Sequence, residues 1–151
     1  AKQLDAYDSG RIYYYLGEYQ KAYLALDEAR DKGGADSYLY LGRAYAATGD
    51  YNYASSVYNN YLSKQGPNAE IYNELGLCEM AKKEYQNALA AFQAGKQIEG
   101  NSLMQTLCFN EIVAYEYLED YQQAEVLMNA YLQNYPDDQT AIREQQFLST
   151  R

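Results

Sequence analysis

Two stretches decide the fold: LGRAYAATGDYNYASSVY at 41–58 and LGLCEMAKKEYQNALAAF at 75–92. They superpose without a gap at a spacing of 34, which pairs Leu41 with Leu75, Gly42 with Gly76, Tyr51 with Tyr85, Ala54 with Ala88 and Tyr58 with Phe92. Working toward the N-terminus, 9–26 matches at a spacing of 32 through Gly10, Tyr13, Gly17, Tyr19, Ala22 and Leu26. Toward the C-terminus, 111–128 matches at a spacing of 36 through Tyr115, Tyr121, Ala124 and Met128. A fixed period of this size is the signature of a stack of small units, none of which can bury its apolar face alone. The units fall near 3–34, 35–68, 69–104 and 105–138.

Within a unit the apolar positions predict two helices. Tyr38, Leu41, Gly42 and Tyr45 share one face of a 3.6-residue period, and Ala54, Val57, Tyr58 and Tyr61 share another. Between them Thr48-Gly49-Asp50 supplies a residue that accepts positive φ and an acid that can cap the next helix. Glu18, Glu84 and Asp120 hold the matching place, so an acid stands at the positive dipole end of each second helix. Gly10, Gly42 and Gly76 in the first helices, and Ala22, Ala54, Ala88 and Ala124 in the second, leave room for two helices to approach to about 8 Å. In the fourth unit Glu111-Ile112 replaces the Leu-Gly pair, and the stripe is keyed on Cys108, Ile112 and Tyr115.

A 34-residue helix–turn–helix with Leu-Gly, Tyr, Gly-x-Tyr, Ala and a terminal aromatic resembles the tetratricopeptide repeat. The resemblance covers nearly the whole chain and implies an all-α, right-handed superhelical solenoid of four repeats plus a C-terminal capping helix at 139–150, one domain over 1–151. Ile142 is expected in that helix's aromatic slot, with Gln145 and Gln146 in the Leu-Gly slots giving it a polar outer side. The resemblance further implies a noncatalytic scaffold that binds a protein or peptide segment on its concave surface.

Composition narrows the chemistry. The 151 residues carry 12 basic and 21 acidic side chains, a net charge of −9, which argues against nucleic acid as a partner. The absence of histidine excludes Ser–His, Cys–His and His-ligated metal arrangements. No phosphate-cradling glycine loop is present, and carboxylate pairs such as Asp27-Glu28 and Glu119-Asp120 are neighbours in sequence that diverge on a helix. No catalytic residue, cofactor or metal is expected. Cys78 and Cys108 are expected as two buried thiols, ~9 Å apart along adjacent helices and out of disulfide reach. No apolar run approaches the roughly 18 residues that span a bilayer. The chain starts at Ala1, as a processed or trimmed chain does, and the compartment stays open between cytoplasmic and extracytoplasmic.

The exposed side of the first helices is the candidate site. It comprises Tyr7, Asp8, Arg11, Tyr14 and Tyr15, then Leu39, Tyr40, Arg43, Ala46 and Ala47, then Asn73, Glu74, Leu77, Met80 and Ala81, then Phe109, Asn110, Val113, Glu116 and Tyr117. The partner-binding set is Tyr7, Arg11, Tyr14, Tyr40, Arg43, Asn73, Leu77, Met80 and Asn110, since aromatic and arginine side chains are enriched at interface hot spots. The two arginines are expected to meet acidic groups of a partner. Some tetratricopeptide domains clamp the acidic tail of chaperones with Lys and Asn. Here Glu70 and Glu74 in the third repeat would repel a carboxylate, so that ligand is not expected.

The rival function is an extracytoplasmic bacterial ligand- or glycan-binding lipoprotein module that uses a Tyr-rich groove, on a chain with 20 tyrosines whose faces can stack on sugars. A monomer is expected, with self-association through the N-terminal face around Ala6 and Ser9 as the alternative. Charge is uneven, because 105–138 holds seven acids and no basic residue.

Overall fold

The computed structural model describes residues 3–151. Among the described residues there are nine α-helices and no strand: α1 Ala6–Tyr15, α2 Tyr19–Glu28, α3 Ala35–Ala47, α4 Tyr51–Gln65, α5 Ala69–Ala81, α6 Tyr85–Lys96, α7 Met104–Tyr117, α8 Tyr121–Asn134 and α9 Gln139–Leu148. Each packs on its predecessor, and α1 also touches α3, as α3 touches α5. The result is an all-helical repeat solenoid.

The hairpins repeat one local solution. At each turn inside a hairpin the first residue after the turn donates its N–H to a carbonyl five residues back: Glu18 to Tyr13, Asp50 to Tyr45, Glu84 to Glu79 and Asp120 to Tyr115. These four acids are the N-caps of the second helices, but their side chains act differently. Asp50 and Asp120 accept from the N–H groups of Tyr53 and Gln123, whereas Glu18 and Glu84 make no capping bond. The longer side chain carries its carboxylate past the orphan amides, so the two glutamates contribute charge alone. Left-handed backbone at the turn is met by Gly17 and Gly49 in the first two hairpins, but by Lys83 and Glu119 at φ 63° and 62° in the last two.

Within a hairpin the crossing is made by a residue pair sixteen apart. A Cβ on Gly42 would overlap the ring of Tyr58, one on Gly76 the ring of Phe92, and one on Gly10 the end of Leu26. The fourth hairpin inverts the volumes, with Ile112 and the flexible Met128 buried in the same cluster.

Between hairpins each first helix after α1 buries two residues seven apart, at positions one before those of the expected stripe. Ser37 and Ala44, Ile71 and Cys78, Leu107 and Ala114, and Ala141 and Leu148 are all buried. At α1 the matching residues are the N-cap Asp5 and Ile12, and both are exposed. Two expectations are corrected here. Cys108 is half-buried, since Leu107 takes the inward direction on α7. On α9, Ala141 and Leu148 take the buried positions, and Ile142 lies at the edge.

The buried residues form three clusters. One runs through α2–α5 and reaches Ala91 of α6, the second joins α6 to α7, and the third joins α7, α8 and α9. The α6–α7 joint also carries an ion pair, Lys96 Nζ to Glu111 Oε1 at 2.7 Å, with the glutamate side chain only 6% exposed. Glu111 thus fills its Leu slot with a buried, partnered carboxylate.

Candidate functional site

The face shared by α1, α3, α5 and α7 carries three groups of side chains. The N-terminal group is aromatic. Tyr7, Arg11, Tyr14 and Tyr15 lie about one turn apart on α1, and Tyr40 reaches them from α3. The Arg11 guanidinium lies 5.3 Å from the centroid of Tyr7 and 5.6 Å from that of Tyr40. Tyr40 meets Tyr14 and Tyr15 edge-to-face at 5.5 and 5.8 Å, and the hydroxyls of Tyr15 and Tyr40 share a 2.7 Å hydrogen bond. Burial pushes the Tyr7 and Tyr14 phenols above their usual range, and the hydrogen bond to Tyr40 does the same for Tyr15. The phenols are therefore neutral in physiological conditions, and Arg11 is met by Asp8 at 3.8 Å, with Asp36 also acting on Tyr7. The Arg11 Nε is buried without a hydrogen-bond partner.

The middle group is closed on itself. Arg43 donates to Glu74 Oε1 at 3.0 Å, across α3 and α5. Burial works against the Arg43 charge, but the Glu74 carboxylate outweighs it and the pKa ends above the usual guanidinium value. Arg43 thus already has an internal acid, one repeat along. Beneath the pair the Tyr58 hydroxyl is buried with no hydrogen bond, and burial raises its pKa.

In the C-terminal group Asn110 on α7 donates to Asn73 on α5 at 2.8 Å. Elsewhere α5 and α7 lack the close backbone approach that α1 and α3, or α3 and α5, have. The gap is a cavity of about 450 Å³ whose lining includes Leu77, Met80, Asn110, Val113 and Tyr117, with Lys83 and Tyr85 at one end. Tyr85 and Tyr117 stack at 5.0 Å.

The nine residues expected at the site therefore separate. Tyr7, Arg11, Tyr14 and Tyr40 form one cluster, Arg43 belongs to an ion pair, and Asn73 and Asn110 bond each other beside the cavity that Leu77 and Met80 line. Asn73 is nearly buried at 9% exposure, so it is a bridge rather than an open contact. Leu39, expected outside, is 2% exposed and belongs to the core. Phe109 turns onto Tyr131 of α8 at 5.8 Å, away from this face. Sequence reasoning did not find the Arg43–Glu74 pair, although the two side chains fall at the same face one repeat apart. Nor did it find Glu116 and Glu144 crowding each other between α7 and α9, a contact that no repeat alignment signals.

Neither cysteine is poised as a thiolate. Burial pushes the Cys78 thiol up to about 12, far from thiolate formation, and raises Cys108 too. Among the described residues no three His, Cys, Asp or Glu side chains are grouped to hold a metal, and no helix is long and apolar enough to cross a membrane.

Comparison with known proteins agrees with this architecture. One tetratricopeptide repeat profile matches residues 7–52 and 41–101, and a second matches 109–138. No curated protein sequence matches the chain. Solved structures of MamA are similar in fold: one at 19% identity and TM-score 0.82 over 97% of this chain and 84% of that one. An RS-1 MamA double mutant gives 20% identity and TM-score 0.83 over 97% and 82%. An AMB-1 MamA gives 23% identity and TM-score 0.75 over 95% and 78%. With its glycine crossings, repeated turns and profile matches through most of its length, the chain belongs to the tetratricopeptide repeat family of protein-interaction modules.

Proposed function

We propose that the chain is a noncatalytic adaptor that takes a peptide or protein segment along the face shared by α1, α3, α5 and α7. The observation that carries this reading is the aromatic cluster around Arg11. Tyr15 is 70% exposed, and Arg11, with its side chain 42% exposed, is held over two rings. A partner's carboxylate or backbone carbonyl meeting this guanidinium gains a charge-assisted hydrogen bond while its neighbours cover the rings. The open cavity beside Leu77, Met80 and Asn110 supports the same reading further along the face, with Asn73 and the Arg43–Glu74 pair fixing the wall between the two.

Glycan stacking is less well served. A sugar needs an open ring face, and in this cluster the tyrosines pack edge-to-face while Arg11 covers Tyr7 and Tyr40. Selection from a displayed peptide library, followed by calorimetric titration, tests the proposal. Tyr40→Ala and Arg11→Ala are each expected to weaken the selected ligand by ~1–2 kcal/mol, as hot-spot truncations do. Unchanged affinity in both variants, or binding of oligosaccharides alone, would refute it.

A further inference from the structure

Next to the apolar cavity, across Tyr117, lies a second one of about 360 Å³ lined by Glu116, Tyr117, Glu119, Tyr121 and Phe147. It sits where the C-terminal ends of α7 and α9 meet the first residue of α8. Two helix C-termini bring the negative ends of their dipoles, which favour a cation, while the opposing positive end of α8 is capped by Asp120. Glu116 Oε1 is shut off from solvent and has no hydrogen-bond donor. Burial and the neighbouring Glu144 hold the Glu116 carboxyl well above the usual range. Glu116 therefore keeps its proton near neutral pH, and Glu119 supplies the carboxylate that this site offers to a cation.

The matching place one repeat earlier shows how specialised this is. At a spacing of 36, Glu116 corresponds to Met80, Glu119 to Lys83 and Tyr121 to Tyr85, all three in the lining of the apolar cavity. The same niche is therefore built twice, once apolar with a lysine and once acidic with aromatic walls. The acidic version also accepts a guanidinium on its rings: Arg151 lies 3.9 Å from the centroid of Phe147 and 5.8 Å from that of Tyr121.

We propose that this edge receives a partner segment in which an arginine stands beside a bulky apolar residue. The apolar side chain enters between Leu77, Met80 and Val113, and the guanidinium takes the place of Arg151 over Phe147 and Tyr121, donating to Glu119 at the edge of the Glu116–Glu144 pair. A planar guanidinium suits the seat better than an ammonium, because it stacks on a ring with its faces while its edge donates to carboxylates. Charge favours the same partner, since residues 105–138 hold seven acids and no basic residue and so attract a cationic segment from a distance. The path of the segment rests on the adaptor reading above, whereas the arginine seat is tested apart from it.

The probe is acetyl-Leu-Arg-amide, titrated into the isotope-labelled chain and followed by amide chemical shifts. Two analogues accompany it: citrulline for arginine, a neutral isostere, and alanine for leucine. The parent peptide is expected to move the signals of Leu77, Val113, Tyr121 and Phe147. The citrulline analogue should keep the Leu77 and Val113 response and lose the other, with affinity down about fivefold. The alanine analogue should do the reverse. Glu116→Gln with Glu119→Gln should erase the preference for arginine over citrulline, Phe147→Leu should weaken it with the fold kept, and Arg151→Ala should strengthen binding. Equal response to arginine and citrulline, or no response in the Arg151→Ala chain, overturns the seat. An arginine response that survives while Tyr40→Ala and Arg11→Ala leave a selected ligand unaffected leaves the seat standing and removes the adaptor reading.

Discussion

At the scale of single residues, this protein is governed by how closely two helices cross and by where carboxylates are forced together. A Cβ on Gly42 would collide with three atoms of the Tyr58 side chain, which is itself wholly buried. Alanine at this position gains about 1 kcal/mol of helix propensity, while overpacking costs about 1–3 kcal/mol. Because the rigid ring cannot swing aside, the clash wins, and Gly42→Ala is expected to lower stability by ~1–2 kcal/mol in urea titration. Adding Tyr58→Met, after the Ile112 and Met128 of the fourth hairpin, should recover part of that loss and register as a coupling in a double-mutant cycle. Glu116 presents the opposite case, a residue whose charge is suppressed. Burial and Glu144 raise its pKa from 4.5 to about 8. The unfolded chain releases this proton near the ordinary value while the folded chain keeps it, so between these pH values the folded state binds more protons. Stability must therefore fall as pH rises from about 4.5 to about 8. Glu116→Gln should flatten that part of the thermal-melting profile and melt higher than the parent at pH 8, with the two profiles converging near pH 4. Parallel profiles would show that the two carboxylates do not share the site.

Among the elements, the turns within hairpins separate what the sequence displays from what it hides. Gly17 and Gly49 announce a left-handed backbone, and the structure places them at φ 77° and 86°. Lys83 and Glu119 adopt the same conformation at φ 63° and 62° with no glycine to signal it, because the packed hairpin imposes the turn on whatever residue stands there. A side chain in this region costs roughly 1 kcal/mol. Lys83→Gly removes that strain and gives back part of it as added freedom of the unfolded chain, for a net gain of at most ~0.5 kcal/mol. The check is a shift of the urea midpoint at unchanged slope. The helices themselves were legible, since Leu-Gly, Tyr and Ala recur at fixed spacing. The seven-residue pairs that join one hairpin to the next were not, because Ser37, Ile71, Leu107 and Ala141 share no chemistry and only their burial unites them. The same limit applied to the candidate site. Outward direction on a helix wheel located Tyr7, Arg11 and Tyr40, but it could not say that Arg43 would find Glu74, or that Phe109 would turn toward α8.

For the whole molecule, the division of the core decides how it comes apart. In a linear stack each hairpin holds only its neighbours, so cooperativity passes through the interfaces in series. Here α7–α9 are joined to the rest mainly through α6, by Phe92 and Leu89 against Leu107, and by the Lys96–Glu111 ion pair at the same joint. Leu107 is fully buried and lies against Gly95, where a Cβ would come within 3.0 Å of its Cδ2. Truncating it removes side-chain volume from the joint itself, at a cost of about 2–5 kcal/mol for a buried Leu→Ala change. Because that cost falls on an interface rather than inside a hairpin, Leu107→Ala should weaken the coupling as well as the total. Hydrogen exchange should show amides of α7, α8 and α9 losing protection together while those of α3 and α4 keep theirs, and denaturation followed at the two ends should cease to coincide. Ala54→Gly, inside the central cluster, supplies the contrast: it should lower stability without separating the two transitions. Coincident transitions in Leu107→Ala would mean that the three clusters act as a single core and that the chain does not part at α6.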